Sequence, residues 1–138
     1  MQRVTQALVV LDDRIDREVV ETVVTSSPQL DVHDFVDLDA HDVSRHSAGD
    51  VMLVACAEFT TKIGEYVSAA TRLHPGRPLL VLCSQPSNGY VADAMTAGAE
   101  DIVTIPPQSD LATARTLADQ RVFAVQKAVA LAKGGKAA

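Results

Sequence analysis

Three stretches of this chain are apolar without interruption: Ala7–Leu11, Val51–Cys56 and Leu79–Cys83. Each is too short for a buried helix, and such runs mark strands covered on both faces, as in a parallel sheet. Two further strands are expected from weaker patterns. Val32–Leu38 is interrupted by His33, Asp34 and Asp37, which suits a sheet edge, and Asp101–Ile105 follows Gly98-Ala99 and stops at Pro106-Pro107. Between the strands the apolar period changes to that of helices. Ile15, Val19, Val20, Val23 and Val24 form one stripe, with Asp13 as the expected cap, Asp16 complementing the dipole and Pro28 as the stop. Residues 39–48 are short and polar and read as a second helix. Ile63, Val67, Ala70 and Leu73 predict a third, closed by Pro75-Gly76. Val91, Ala94 and Met95 predict a fourth, with Asn88 as its cap and Gly98 at C′. From about Asp110 to Lys133 a last helix carries Leu111, Ala114, Ala118, Val122, Val125 and Val129 on one face. Strand and helix thus alternate five times. The α/β class follows, as a five-stranded, right-handed, doubly wound parallel sheet.

At 138 residues the chain is the size of one domain, assigned to residues 1–133, with the small-residue tail 134–138 reading as the start of a linker. Two Tyr, three Phe and no Trp leave the core to aliphatic side chains. A net charge of −6 without any Lys/Arg cluster argues against a nucleic-acid surface. No signal-peptide pattern and no apolar run of membrane-spanning length are present, so a cytoplasmic protein is expected.

Candidate chemistry falls at the carboxyl ends of the strands. The first strand closes on Asp12-Asp13, the third ends Val54-Ala55-Cys56, the fourth ends Cys83-Ser84, and the fifth ends Ile105-Pro106. Cys56 and Cys83 would lie side by side on adjacent strands, but they lack the C-x-x-C spacing of a redox pair and sit among apolar residues, so core packing is the favoured reading. Asp31, Asp34, Asp37, Asp39, Asp42 and Asp50 crowd one stretch with His33, His41 and His46. No metal-ligand spacing occurs among them, and solvated surface is the simpler account. Gly134-Gly135-Lys136 lacks the rest of a phosphate-binding loop.

Gly98-Ala99-Glu100-Asp101-Ile102-Val103-Thr104-Ile105-Pro106 resembles the "GADDYLTKP" stretch of bacterial response-regulator receivers. Asp50 resembles the acid that opens their "DLVLLD" strand, and Pro78–Ser84 resembles "PVIVLTA". The resemblance covers residues 6–132 and implies the CheY/flavodoxin-like strand order 2-1-3-4-5. It also implies that the receiver site is degenerate. Asp12 and Asp13 survive from the Mg²⁺-holding acids, but Ala55 stands where the phosphate acceptor would be, Cys83 (or Ser84, one residue on) at the Thr/Ser position, and Ile105 at the Lys position, before an implied cis bond to Pro106. An acyl phosphate cannot form on a methyl group, so neither catalysis nor a cofactor is expected, and the acidic pair reads as solvent-facing residues of structural use. Among degenerate receivers the chain most resembles the N-terminal domain of the TadZ/CpaE pilus-assembly proteins. That likeness implies a self-associating module that helps polar placement of its machinery, joined to a ParA/MinD-like ATPase beyond Ala138. Protein partners and a homodimer through the fourth helix, fifth strand and fifth helix are the expectation, with Tyr90, Leu117, Phe123 and Leu131 as candidate interface residues. Two other classes fit the same residues: a pseudo-receiver regulating transcription or antitermination, and a small-ligand flavodoxin-like domain, the latter weakened by Asp12-Asp13-Arg14 where a Gly-rich loop would stand.

Overall fold

The computed structural model describes residues 5–25, 30–39, 49–84, 89–105 and 130. Within them the chain runs β1 (Thr5–Leu11), α1 (Arg17–Val24), β2 (Leu30–Asp37), β3 (Val51–Cys56), α2 (Thr61–Leu73), β4 (Leu79–Cys83), α3 (Tyr90–Ala97) and β5 (Asp101–Thr104). All strand pairs are parallel, in the order β2-β1-β3-β4-β5. This is the expected doubly wound sheet, with β2 and β5 at its edges.

Strand alternation divides the core in two. Val9, Leu11, Leu53, Ala55, Leu82, Val103 and Ile105 lie in one cluster with Val19, Val20, Val23 and Val24 of α1. Leu8, Val10, Met52, Val54, Cys56, Val81 and Cys83 face the other way, under Ile63, Tyr66 and Val67 of α2 and Tyr90 and Ala94 of α3. β1 from Ala7 onward, β3 and β4 are buried on both faces, which is why those stretches contain no polar interruption.

Three local expectations are corrected. Asp16 caps α1, accepting the Glu18 N–H at 2.9 Å, because Asp12 and Asp13 are taken up in a turn closed by Ile15 N–H on the Asp12 carbonyl. On α2 the buried position is Tyr66, while Leu73 is exposed. On α3, Tyr90 and Ala94 are buried, and Val91 and Met95 are 53% and 48% exposed. An eight-residue helix with apolar residues nearly all round does not declare its inner face; the sheet chooses it. The position preceding α3 is Gly89, at φ 81° and without a side-chain cap, and Asn88 lies outside the described residues. So do the polar helix expected at 39–48 apart from Asp39, the helix expected at 110–133 apart from Ala130, and the tail.

Candidate functional site

The carboxyl ends of β1, β3 and β4 meet at one edge of the sheet. Asp12 follows β1, and its N–H donates to the Ala55 carbonyl at 2.9 Å, which locks the acidic turn to the end of β3. Asp12 is buried, 8% exposed, which corrects the expectation that both acids face solvent; Asp13 alone is open to it. Burial, and then the neighbouring Asp13, push the Asp12 carboxyl above the ordinary range, partly opposed by Lys62.

The sign of that shift gives a prediction. The folded state holds the Asp12 proton more tightly than the unfolded chain, so stability falls as pH rises from about 3.9 through the raised value. Asp12→Asn is therefore expected to raise the melting temperature at pH 7 by a few degrees. The gain should vanish below about pH 3.9, and an equal gain at both pH values would remove the carboxylate as its cause.

Ala55 is fully buried between Leu11 and Leu82, its register partners. Ile105 is 2% exposed, donates its N–H to the Cys83 carbonyl at 3.1 Å, and belongs to the same apolar cluster as Ala55. Hydrocarbon that packs together thus fills the two positions that the resemblance assigns to the acceptor and the Lys. Cys83 ends β4 directly opposite Cys56. The two reduced thiols lie on the face away from Ala55, and Cys83 Sγ donates to the Ala57 carbonyl at 3.4 Å. Hydrogen bonding with Cys83, then burial, push the Cys56 thiol far up, so both behave as small core residues. Ser84, the other candidate hydroxyl, is nearly buried and donates its N–H to the Cys56 carbonyl at 3.2 Å. Asp50 stands at the opposite end of the sheet, where Oδ2 accepts the Gln6 N–H at 3.0 Å and its own N–H returns to the Gln6 carbonyl at 2.7 Å. It fastens β3 to β1 and has no part in the strand-end chemistry.

The interface candidates separate. Tyr90 is 7% exposed, with its hydroxyl 3.4 Å from Thr104 Oγ1, so it is a core residue in this chain and not a surface one. Pro106, Leu117, Phe123 and Leu131, with the cis bond implied at Pro106, lie outside the described residues. Of the acid-rich stretch, Asp31, Asp34 and Asp37 are exposed along edge strand β2, where charge discourages edge-to-edge pairing. Asp42, His41, His46 and the His33 side chain lie outside the described residues. Among the described residues no three His, Cys, Asp or Glu side chains are grouped to hold a metal ion.

Two features were not found in the sequence. Lys62, in the first turn of α2, pairs with Asp39 just beyond β2 and lies in the field of Asp13 and Asp12. A groove of about 880 Å³ runs between α2 and α3, lined by Phe59, Gly64, Glu65, Arg72 and Asp93 among others. Neither follows a motif. Both arise from residues far apart in sequence that the sheet order brings together.

No protein-family model and no curated protein matches the chain. Solved structures do. The response-regulator domain of Thermotoga maritima CheB superposes with a TM-score of 0.68 at 22% identity, covering 92% of this chain and 97% of that one. A pilus assembly-related protein from Burkholderia pseudomallei gives 0.60 at 19% identity over 90% of each chain. The pilus assembly protein CpaE from Burkholderia thailandensis gives 0.58 at 17%, covering 88% of this chain and 98% of that one. The fold is that of response-regulator receivers, and pilus-assembly proteins are among its structural neighbours.

The Mg²⁺ such a site would take does not fit the residues present. Octahedral coordination needs oxygen ligands, and Ala55 offers a methyl group in place of one carboxylate. Lys62 also holds a positive charge in whose field the remaining pair lies.

Proposed function

We propose that this chain is a non-catalytic, phosphorylation-independent receiver-like domain that acts through protein–protein contact and self-association in pilus or secretion assembly. The observation that carries the reading is Ala55, fully buried where an acceptor carboxylate would stand and packed in one cluster with Ile105. Its structural neighbours of the same size include a pilus assembly-related protein and a CpaE, which supports the setting. A ParA/MinD-like ATPase in the parent chain is the partner this setting implies. Among the described residues no helix is long and apolar enough to cross a membrane, so attachment to membrane machinery would run through partners.

Self-association is supported by α3. Tyr90 and Ala94 point into the core and Asp93 and Ala97 line the groove toward α2, which leaves Val91 and Met95 exposed on a helix that packs beside edge strand β5. Two exposed apolar side chains one turn apart beside a sheet edge form a natural contact patch. Sedimentation velocity should find dimer at tens of micromolar, and Met95→Asp should weaken it by about tenfold or more by placing a charge in a desolvated contact. A wild-type chain that stays monomeric throughout that range would remove the self-association reading.

A further inference from the structure

The sheet order β2-β1-β3 sets the carboxyl end of β1 between those of its two neighbours. Asp39 lies just beyond the end of β2, and Lys62 stands in the first turn of the helix that follows β3. Their ion pair therefore spans the end of β1, where Asp12 and Asp13 stand. The Lys62 ammonium feels both of those carboxylates as well as Asp39, and Asp12 feels Lys62 in return.

We infer that Lys62 is a tethered cation in place of the receiver metal: it supplies the positive charge that the acidic pair requires and closes the strand-end crevice to divalent ions. The arrangement is poorly suited to holding the fold together, since the side chains of Lys62 and Asp39 are 56% and 50% exposed and exposed pairs contribute little to stability. Its effect is on other ions. A divalent cation entering between Asp12 and Asp13 would meet the like charge of Lys62, whose field reaches both carboxylates, and displacing that charge would break the contact with Asp39. The same strap opposes phosphate differently: an anion would meet three carboxylates for one ammonium. The crevice is thus blocked for the metal by Lys62 and for phosphoryl chemistry by Ala55, two independent losses at one site.

Mn²⁺ is the probe, read by paramagnetic broadening of the Asp12 and Asp13 amide resonances in the full chain. The wild type should show no selective broadening there at millimolar Mn²⁺. Lys62→Gln, at an exposed position and therefore expected to fold, should bind at least about tenfold more tightly, because a unit charge close to the ion has been removed. Lys62→Arg should behave as wild type, and adding Asp12→Asn to Lys62→Gln should abolish the gain. Selective broadening of the wild type at these two amides, a Lys62→Gln variant with no gain, or a gain confined to the exposed acids of β2 would each overturn the inference.

Discussion

Ala55→Asp, the substitution that restores an acceptor in form, is expected to cost about 3–5 kcal/mol of stability at pH 7 and to create no phosphorylation site. Ala55 is fully buried: Leu11 and Leu82 lie beside it in register, and Val103 and Ile105 share its cluster. A carboxylate there would be desolvated among hydrocarbon side chains, and the position that the resemblance assigns to a Lys is Ile105. Asp12, adjacent through its N–H bond to the Ala55 carbonyl, adds a like charge. Both effects raise the new group's folded pKa. The destabilisation should therefore be small below about pH 3.9, grow as pH rises through the folded value, and be complete at neutrality. Ala55→Asn separates charge from size, because it brings similar volume without the ionised form.

The test is urea unfolding across pH for Ala55→Asp, Ala55→Asn and the double variant Ala55→Asp/Ile105→Lys. Each single charge is buried alone, whereas the pair can neutralise itself, so the double variant should be more stable than the sum of the singles by 1 kcal/mol or more, a coupling of the size seen between contacting residues. Acetyl phosphate should label neither the wild type nor Ala55→Asp. A neutral Ala55→Asp, or one that takes up phosphate, would mean that the strand end is polar and open, and the non-catalytic reading would lose its ground.

The parts of this molecule that could be read from sequence are those where a single neighbour decides the pattern. β1 from Ala7 onward, β3 and β4 are buried on both faces and have no choice but hydrocarbon, so their runs and the sheet they imply were plain, and Ala55 and Ile105 were visible as departures from a motif. α3 was not plain. Tyr90, Val91, Ala92, Ala94, Met95 and Ala97 are apolar nearly all round, and only its place over β4 and β5 selects Tyr90 as core and Met95 as surface. Asp13 and Asp16 are equally good caps by type, and the turn held by Asp12 decides between them. The contact of Lys62 with Asp39 depends on β1 lying between β2 and β3. No local pattern encodes that, and a lysine in the first turn of a helix, where the dipole disfavours it, was the one clue that something else holds it there.

Gly98→Ala is expected to destabilise the fold by roughly 2–3 kcal/mol, while Gly76→Ala changes stability by less than about 0.5 kcal/mol. Both glycines follow helices, but only one is required. Gly98 ends α3 with its N–H on the Met95 carbonyl at 3.1 Å, and Ala99 N–H closes the outer bond to Ala94 at 3.0 Å, the paired pattern of a left-handed helix stop. Its φ is 120°, which L side chains rarely adopt, and a Cβ there would stand 2.5 Å from Thr71 Oγ1. That hydroxyl is already committed to the Ser68 and Ala97 carbonyls at 3.2 and 3.4 Å, and Ser68 Oγ also reaches Ala97 at 3.2 Å. These contacts join α2 to α3 at one end of the groove, so a methyl group at 98 pushes the two helices apart as well as straining its own backbone. Gly76 has nothing within 4 Å of the same position and no positive φ. Thr71→Ala removes the hydroxyl and methyl that would collide but leaves the backbone strain. It should therefore recover part of the Gly98→Ala loss in a double-mutant cycle, measured by urea unfolding. Full recovery would assign the whole cost to the collision with Thr71, and none would assign it to the backbone alone, in which case the α2–α3 contact does not depend on the glycine.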